Sequence, residues 1–125
     1  MGYLKGKTIH SLIMRRPDDL RAIKYCDASY ATDTLLRRSV SGMISSIGGL
    51  IVNWSLRTQK VCTLSSAESD YIALGECGQE LKFVCMFLQE LDIGKMPGII
   101  YEDNEGAIFL AKNQQVGMHK KRYRC

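Results

Sequence analysis

Apolar and polar residues follow one another along this chain in patterns that predict a definite series of strands and helices. An apolar-rich run over residues 22–27 predicts a first strand, and two β-rich runs over 40–46 and 50–54, separated by Gly48-Gly49, predict a hairpin. From residue 66 to about residue 92 the apolar positions recur at spacings of three and four, which indicates a long helix with one apolar stripe. The stripe comprises Tyr71, Leu74, Gly78, Leu81, Cys85, Leu88 and Leu91.

The remaining pattern completes a mixed α/β layer. Residues 61–64 are apolar enough to extend a strand, and Gly94 and Pro97 end the long helix. A short strand over 99–101 and a short helix from 104 or 105 to 112 follow. This order predicts a mixed sheet in which the hairpin side is antiparallel and the strand after the long helix lies parallel to a central first strand.

Composition and charge bound the function only mildly. The 125 residues predict one domain, and a net charge of +4 permits nucleic-acid binding without requiring it. The five cysteines lack metal-ligand spacing, which is typical of buried thiols in an intracellular protein, cytoplasmic or nuclear. We find neither a signal peptide nor the run of ~20 apolar residues that a membrane span needs.

Three acidic residues fall where predicted elements begin or end: Asp27, Glu68 and Asp103. Carboxylates from separate elements can converge at one edge of a sheet and hold divalent metal, which cuts phosphodiester bonds. Each acid also has a purely structural explanation. Glu68 fits a capping box with Ser65, Asp27 fits a turn, and Asp103 beside Asn104 fits a helix cap. The residues by themselves leave both explanations open.

Several segments resemble the motifs of one known family. They read Y-C-D-A-S-Y-A-T-D at 25–33, R-R-S-V-S-G at 37–42, N-W-S-L-R-T-Q-K at 53–60, L-S-S-A-E-S-D-Y-I-A-L at 64–74, Y-E-D-N-E-G-A-I at 101–108 and A-K-N at 111–113. Similar motifs occur in the same order in the ribonuclease H domain of copia-type LTR retrotransposon polyproteins, and the resemblance covers nearly the whole chain. It implies a connector segment over 1–19, a ribonuclease H-like domain over 20–113 and a basic tail over 114–125.

The resemblance also implies a fold, an activity and a site. The fold is an α/β ribonuclease H-like mixed sheet with helices, and the activity is metal-dependent cleavage of RNA in RNA–DNA hybrids with two Mg²⁺ or Mn²⁺ ions. Asp27, Glu68 and Asp103 would be the catalytic metal ligands, and Ser29 and Asn104 are placed to contact the RNA 2′-hydroxyls. The implied partners are the hybrid itself and the reverse transcriptase domain of the same polyprotein.

The chain departs from the family pattern at two places. Ser29 stands where the family has a second Asp, and after Met118 the chain reads H-K-K-R-Y-R-C, so that a final strand and a helix carrying a fourth acid are missing. We therefore expect weak or absent cleavage. A catalytically inactive relic that binds nucleic acid, and a non-enzymatic interaction domain whose acids are only caps, stay as alternatives. His119 and the basic residues 120–124 are candidates for phosphate contacts.

Overall fold

The computed structural model describes residues 19–93 and 97–113, together with four isolated positions before residue 19. Four strands and two helices lie in this part of the chain, in the order that the sequence predicts. They are β1 (Ala22–Ser29), β2 (Val40–Ile47), β3 (Leu50–Thr58), α1 (Ser66–Glu90), β4 (Ile99–Tyr101) and α2 (Glu105–Lys112). The predicted connector over 1–19, apart from those positions and residue 19, and the predicted tail over 114–125 lie outside the described residues.

The strands form one mixed sheet in the order β3-β2-β1-β4. β2 pairs antiparallel with β1 and with β3, whereas β4 pairs parallel with β1. The parallel pair requires a crossover connection, which α1 provides by leading from the hairpin side of the sheet to β4. The predicted α/β class, the central first strand and the parallel partner after the long helix are therefore confirmed.

The two faces of the sheet differ because side chains alternate along each strand. In β1, the residues Ala22, Lys24, Cys26 and Ala28 are buried on the face that α1 covers. The residues between them include Tyr25 and Asp27, which are exposed on the opposite, open face. This face has no helix packed on it among the described residues.

α1 begins at Ser65, whose side-chain oxygen accepts a hydrogen bond from the Glu68 N–H at 3.1 Å. The helix ends two residues earlier than the predicted limit of about 92, and it packs on β1 with a face that differs from the predicted stripe. Its buried residues are Ser69, Asp70, Ala73, Cys77, Leu81 and Leu88. Ala73 and Cys77 are both fully buried, because small side chains let the helix approach the strand closely.

Only Leu81 and Leu88 of the predicted stripe belong to the buried core, and Leu91 is 51% exposed. The prediction for Leu91 is therefore wrong. The buried face of α1 is rotated from the predicted stripe toward the side that carries the small residues Ala73 and Cys77. The apolar spacing predicted that the large side chains would pack on the sheet. In the structure, the face that carries the small side chains packs there. In the described part of the chain, no helix is both long and apolar enough to cross a membrane.

The predicted strand over 61–64 is also wrong, because β3 runs on to Thr58 and the chain then leaves the sheet. The backbone N–H of Gln59 donates to the Ser39 carbonyl at 2.8 Å, and its side-chain amide donates to the Ser41 hydroxyl and the Ser69 carbonyl. These bonds tie the end of β3 to the first turn of α1. Val61 and Leu64 then lie exposed in the connection.

Candidate functional site

The candidate site lies at the end of the parallel pair formed by β1 and β4. The ladder between them ends at Tyr25 and Tyr101, whose rings stack with centroids 5.1 Å apart. Asp27 and Asp103 each follow two residues later in their segments. Because the strands run in the same direction, the structure brings these two predicted residues to the same edge of the sheet.

Asp27 is an exposed residue of β1 rather than its last one. β1 continues to Ser29 because its other edge still pairs with β2, where Asp27 lies opposite Gly42. This register excludes the turn that the sequence allowed as an alternative for Asp27. The Asp27 side chain has no hydrogen-bond or ion-pair partner among the described residues. It borders an open cleft of about 390 Å³ that Tyr25, Trp54 and Leu56 also line.

Glu68 uses its carboxylate at the start of α1. Its Oε2 atom accepts a hydrogen bond from the Leu64 N–H at 2.8 Å, while its own N–H donates to Ser65. The capping box that the sequence offered for Glu68 is thus present with one difference. The Glu68 carboxylate accepts the N–H of Leu64 and not that of the N-cap residue Ser65. Both bonds satisfy backbone groups that the helix cannot satisfy itself.

Asp70 is the residue that the sequence argument missed. Its side chain is buried at the end of the sheet, where Oδ1 accepts the Ala28 N–H at 2.9 Å and Oδ2 accepts the Asn104 side-chain amide at 2.7 Å. One signal could have found it, since Asp70 falls in helical register with Ala73, Cys77 and Leu81. A carboxylate on the buried face of a helix needs specific partners and therefore indicates a site.

The segment after β4 supplies the other acids and the start of α2. Asn104, and not Asp103, caps α2, because its Oδ1 accepts the N–H groups of Gly106 and Ala107 at 2.9 and 3.3 Å. The Asn104 Oδ1 atom thus caps the helix, and one of its two Nδ2 hydrogens is donated to Asp70. The predicted contact of Asn104 with RNA stays a prediction. Asp103 is exposed and has no hydrogen-bond or ion-pair partner in the part of the chain that the structure describes.

Negative charge accumulates around Glu102. Burial raises the pKa of the Glu102 carboxyl, and the neighbouring Asp70 and Asp103 raise it further. The Cys26 thiol lies 3.2 Å from Glu102 Oε2, and the pKa of Cys26 is raised by its hydrogen bond with Cys77, by burial and by Glu102. Cys26 therefore stays a protonated donor to Glu102. Asp70, Glu102 and Asp103 thus form an acidic cluster beside the strand end that carries Asp27.

Two plant polyproteins show what the chain is similar to. It is 35% identical over 112 residues to the retrovirus-related Pol polyprotein from transposon RE2 of Arabidopsis thaliana. It is 35% identical over 111 residues to the retrovirus-related Pol polyprotein from transposon TNT 1-94 of Nicotiana tabacum. Each match covers 89% of this chain. The chain is homologous to retrotransposon Pol polyproteins.

The homologous region is a small part of those polyproteins, since the chain spans about 8% of their length. A third relative, secreted RxLR effector protein 161 of Plasmopara viticola, is 36% identical over 62% of this chain and 55% of its own length. No family model matches the chain. No solved structure matches it either.

The acids of this Pol homologue fit a divalent metal in their chemistry but not in their arrangement. Carboxylate oxygens are the ligands that Mg²⁺ prefers, so the donor atoms are suitable. Among residues 19–93 and 97–113, however, no three Asp, Glu, His or Cys side chains are grouped so that they could hold an ion. Both oxygens of Asp70 already accept hydrogen bonds, and Glu68 turns toward Leu64. As arranged, the residues do not fit a metal pair, and a metal role for Asp27, Glu68 and Asp103 stays a prediction.

Proposed function

We propose that this chain is the ribonuclease H part of a retrotransposon Pol polyprotein. It would act beside the reverse transcriptase domain of that polyprotein and hydrolyse the RNA strand of RNA–DNA hybrids during reverse transcription. The observation that carries this proposal is the pair of exposed acids, Asp27 and Asp103, at one end of the parallel β1–β4 pair. Homology to Pol polyproteins over 89% of the chain supports it.

The two exposed acids have the chemistry for a polar substrate. An ionised carboxylate accepts hydrogen bonds, so Asp27 and Asp103 can each accept one from a water molecule or from a ribose 2′-hydroxyl. The 2′-hydroxyl is the group by which a protein distinguishes RNA from DNA. In this proposal Asp27 and Asp103 contact the RNA strand, while the buried Asp70 and the half-buried Glu102 lie behind them.

A second function, binding of the hybrid without cleavage, is favoured by one specific observation. The acids in the described residues are not grouped to hold a metal ion. Ribonuclease H chemistry as implied by the family depends on metal that activates water and stabilises the leaving oxygen. A chain that holds its acids apart would bind a hybrid and leave it intact.

The test is an assay of binding and cleavage on a labelled RNA–DNA hybrid, in Mg²⁺ and separately in Mn²⁺. We expect the hybrid to bind in preference to duplex DNA, and any cleavage to be weak and abolished by Asp27→Asn. A matched control is Asp92→Asn, since Asp92 follows the far end of α1 and its backbone is left-handed with φ of 55°, which Asn tolerates.

Each result of this assay assigns a function. Cleavage that Asp27→Asn removes and Asp92→Asn leaves intact supports the hydrolase. Binding without cleavage in either metal supports the second function. A folded protein that neither prefers nor cleaves the hybrid would overturn both proposals and leave the non-enzymatic interaction domain.

A further inference from the structure

We infer that Asp70 is a positioning residue, which holds the strand end that carries Asp27 and the turn that carries Asp103 in fixed relation to each other. The inference rests on the proposed function, because it assigns to α1 a defined part in the hydrolysis site. That part belongs to Asp70, whereas the metal-ligand role that the resemblance implies for Glu68 stays a prediction. The role is exerted through hydrogen bonds to the neighbours of the two exposed acids.

The first bond solves a problem that the sheet itself creates. β4 ends at Tyr101, so beyond Tyr25 the edge of β1 that faces β4 has no strand to pair with. A buried backbone N–H without an acceptor is costly. Asp70 Oδ1 accepts the Ala28 N–H at 2.9 Å, directly after Asp27 in the chain. The carboxylate thus replaces the missing strand at the point where Asp27 leaves the parallel ladder.

The second bond fixes the start of α2. Asn104 donates its side-chain amide to Asp70 Oδ2 at 2.7 Å, while its Oδ1 caps α2. The two functions share one amide group, and turning that group over would break both. Asp70 therefore determines the orientation of the cap, and with it the backbone next to Asp103. Hydrogen bonds to an ionised carboxylate are stronger than those between neutral groups.

Close packing of the two helices supports the same arrangement. A Cβ atom placed on Gly106 would lie 3.0 Å from the Ala67 Cβ and 3.1 Å from Asn104 Oδ1. The absent side chain at Gly106 lets the start of α2 lie directly against the first turn of α1. That contact brings Asn104 within reach of Asp70, which is short enough to remain buried while it bonds to both partners.

Helix geometry explains why Glu68 cannot take this role. Two residues along an α-helix correspond to a rotation of about 200°, so Glu68 and Asp70 point to opposite sides of α1. Asp70 is 5% exposed on the side that packs on β1. Glu68 lies toward the preceding connection, where it accepts the Leu64 N–H.

The test exchanges the two side chains of the Asp70–Asn104 bond. Asp70→Asn places two amide donors against each other, and Asn104→Asp places two carboxylates against each other. The double variant Asp70→Asn/Asn104→Asp restores one donor and one acceptor, and Asp is as good a helix cap as Asn. Asn at position 70 can still accept the Ala28 N–H through its own oxygen.

Two measurements separate the hydrogen bonds that Asp70 makes to Ala28 and Asn104 from the proposed function. The first is amide hydrogen exchange at Ala28, Gly106 and Ala107, which reports on the hydrogen bonds without any substrate. Each single variant should exchange roughly tenfold faster at Gly106 and Ala107, and the double variant should return to the wild-type rate. The second is the NMR shift of the Asp27 and Asp103 amides on addition of a short RNA–DNA hybrid, together with cleavage of that hybrid.

The outcomes distinguish the two proposals. Recovery of both exchange protection and hybrid response in the double variant supports Asp70 as a positioning residue. Recovery of exchange protection without the hybrid response would overturn the inference, because the charge of Asp70 itself would then be needed. Failure of the double variant to recover exchange protection would overturn it as well. If the wild-type protein shows protected amides at Ala28, Gly106 and Ala107 but no response to the hybrid, the hydrogen bonds of Asp70 are supported and the proposed function fails.

Discussion

At the scale of single residues, the acids of the site differ in exposure and therefore in the contacts that they can make. Asp27 and Asp103 are exposed and have no hydrogen-bond or ion-pair partner among the described residues, whereas Asp70 is buried with both oxygens engaged. Glu102 lies between these extremes and accepts the Asn104 N–H at 3.1 Å. The exposed acids can contact a substrate, whereas the buried Asp70 makes hydrogen bonds that hold the neighbouring backbone in place.

The pKa of Glu102 makes a prediction about stability and pH. Because burial and two nearby acids raise this pKa above its ordinary value of 4.5, the folded protein favours the protonated carboxyl more than the unfolded chain does. The stability that this group contributes is therefore fully present below about pH 4.5 and is lost as the pH rises through the folded-state pKa. Glu102→Gln should thus become more stable relative to wild type as the pH rises from 4 toward 7.

Urea denaturation of both proteins at a series of pH values measures this difference. Glu105→Gln is the matched control, since Glu105 is exposed at the start of α2. A difference between Glu102→Gln and wild type that stays constant with pH would contradict the raised pKa.

A contact between Gly98 and Leu81 gives a second prediction at this scale. A Cβ atom on Gly98 would lie 2.6 to 2.8 Å from three atoms of the Leu81 side chain. Gly98→Ala should therefore destabilise the fold by about 1–3 kcal/mol through overpacking. Leu81→Ala should cost about 2–5 kcal/mol, because Leu81 is buried in the core beside Ala22 and Leu88.

The double variant Gly98→Ala/Leu81→Ala separates the two effects. Its cost should be smaller than the sum of the single costs, because the shortened side chain leaves room for the added methyl group. Chemical denaturation of the four proteins measures the coupling. Strict additivity of the two costs would show that Gly98 and Leu81 are not in contact.

At the scale of elements, α1 and β1 are joined by an ion pair as well as by apolar packing. Lys24 is 2% exposed in β1, and its Nζ atom lies 2.7 Å from Glu80 Oε2 of α1. Arg57 of β3 reaches the other oxygen of Glu80 at 3.4 Å. A strand residue with a positive charge is thus buried under the helix, and Glu80 makes that burial possible.

This ion pair predicts a strong asymmetry between single and double variants. Glu80→Leu leaves the Lys24 charge buried without a partner and should cost about 3–5 kcal/mol. Lys24→Met/Glu80→Leu replaces the pair by apolar side chains and should be close to neutral. Glu90→Leu, near the exposed end of α1, is the matched control. Equal destabilisation by the single Glu80 variant and the double variant would contradict this account.

At the scale of the whole molecule, one face of the sheet is uncovered. A row of exposed apolar side chains crosses all four strands on this face, because the pairing places Trp54, Ile44, Tyr25 and Tyr101 next to one another. Trp54 is 73% exposed, and the two tyrosines are each 50% exposed. A contiguous apolar surface of this kind promotes association in water.

The uncovered face predicts the behaviour of Trp54, which is the single tryptophan of the chain. Its fluorescence should be typical of a solvent-exposed indole at low protein concentration and should shift to shorter wavelength as the protein associates. Trp54→Lys should lower the association measured by sedimentation velocity, while Phe83→Lys on α1 serves as a control for another exposed ring. Association that both variants reduce equally would show that the open face has no special part.

The sequence by itself determined the elements and their order. Strand runs, the Gly48-Gly49 turn and the cap at Ser65 depend on neighbours a few residues away, so a local pattern contains the information. The cap of α2 is Asn104, one residue after the Asp103 that the pattern suggested. The mixed sheet followed as well, since a helix between two strands favours a parallel pair. The homology to Pol polyproteins was likewise visible in motifs that are short and contiguous.

Only the tertiary structure decided which acids meet. Glu68 and Asp70 are two residues apart in one motif. Asp70 is in helical register with Ala73 and Cys77, but the stripe of large apolar side chains favoured a different side of α1 for packing on β1. The small side chains of Ala73 and Cys77 decided which side packs there, because they allowed the closest approach to the strand. That packing places Asp70 against Ala28 and Asn104, and it leaves Glu68 at the helix start. The same packing buries Lys24, since a charge can enter a core when a distant residue such as Glu80 arrives to pair with it.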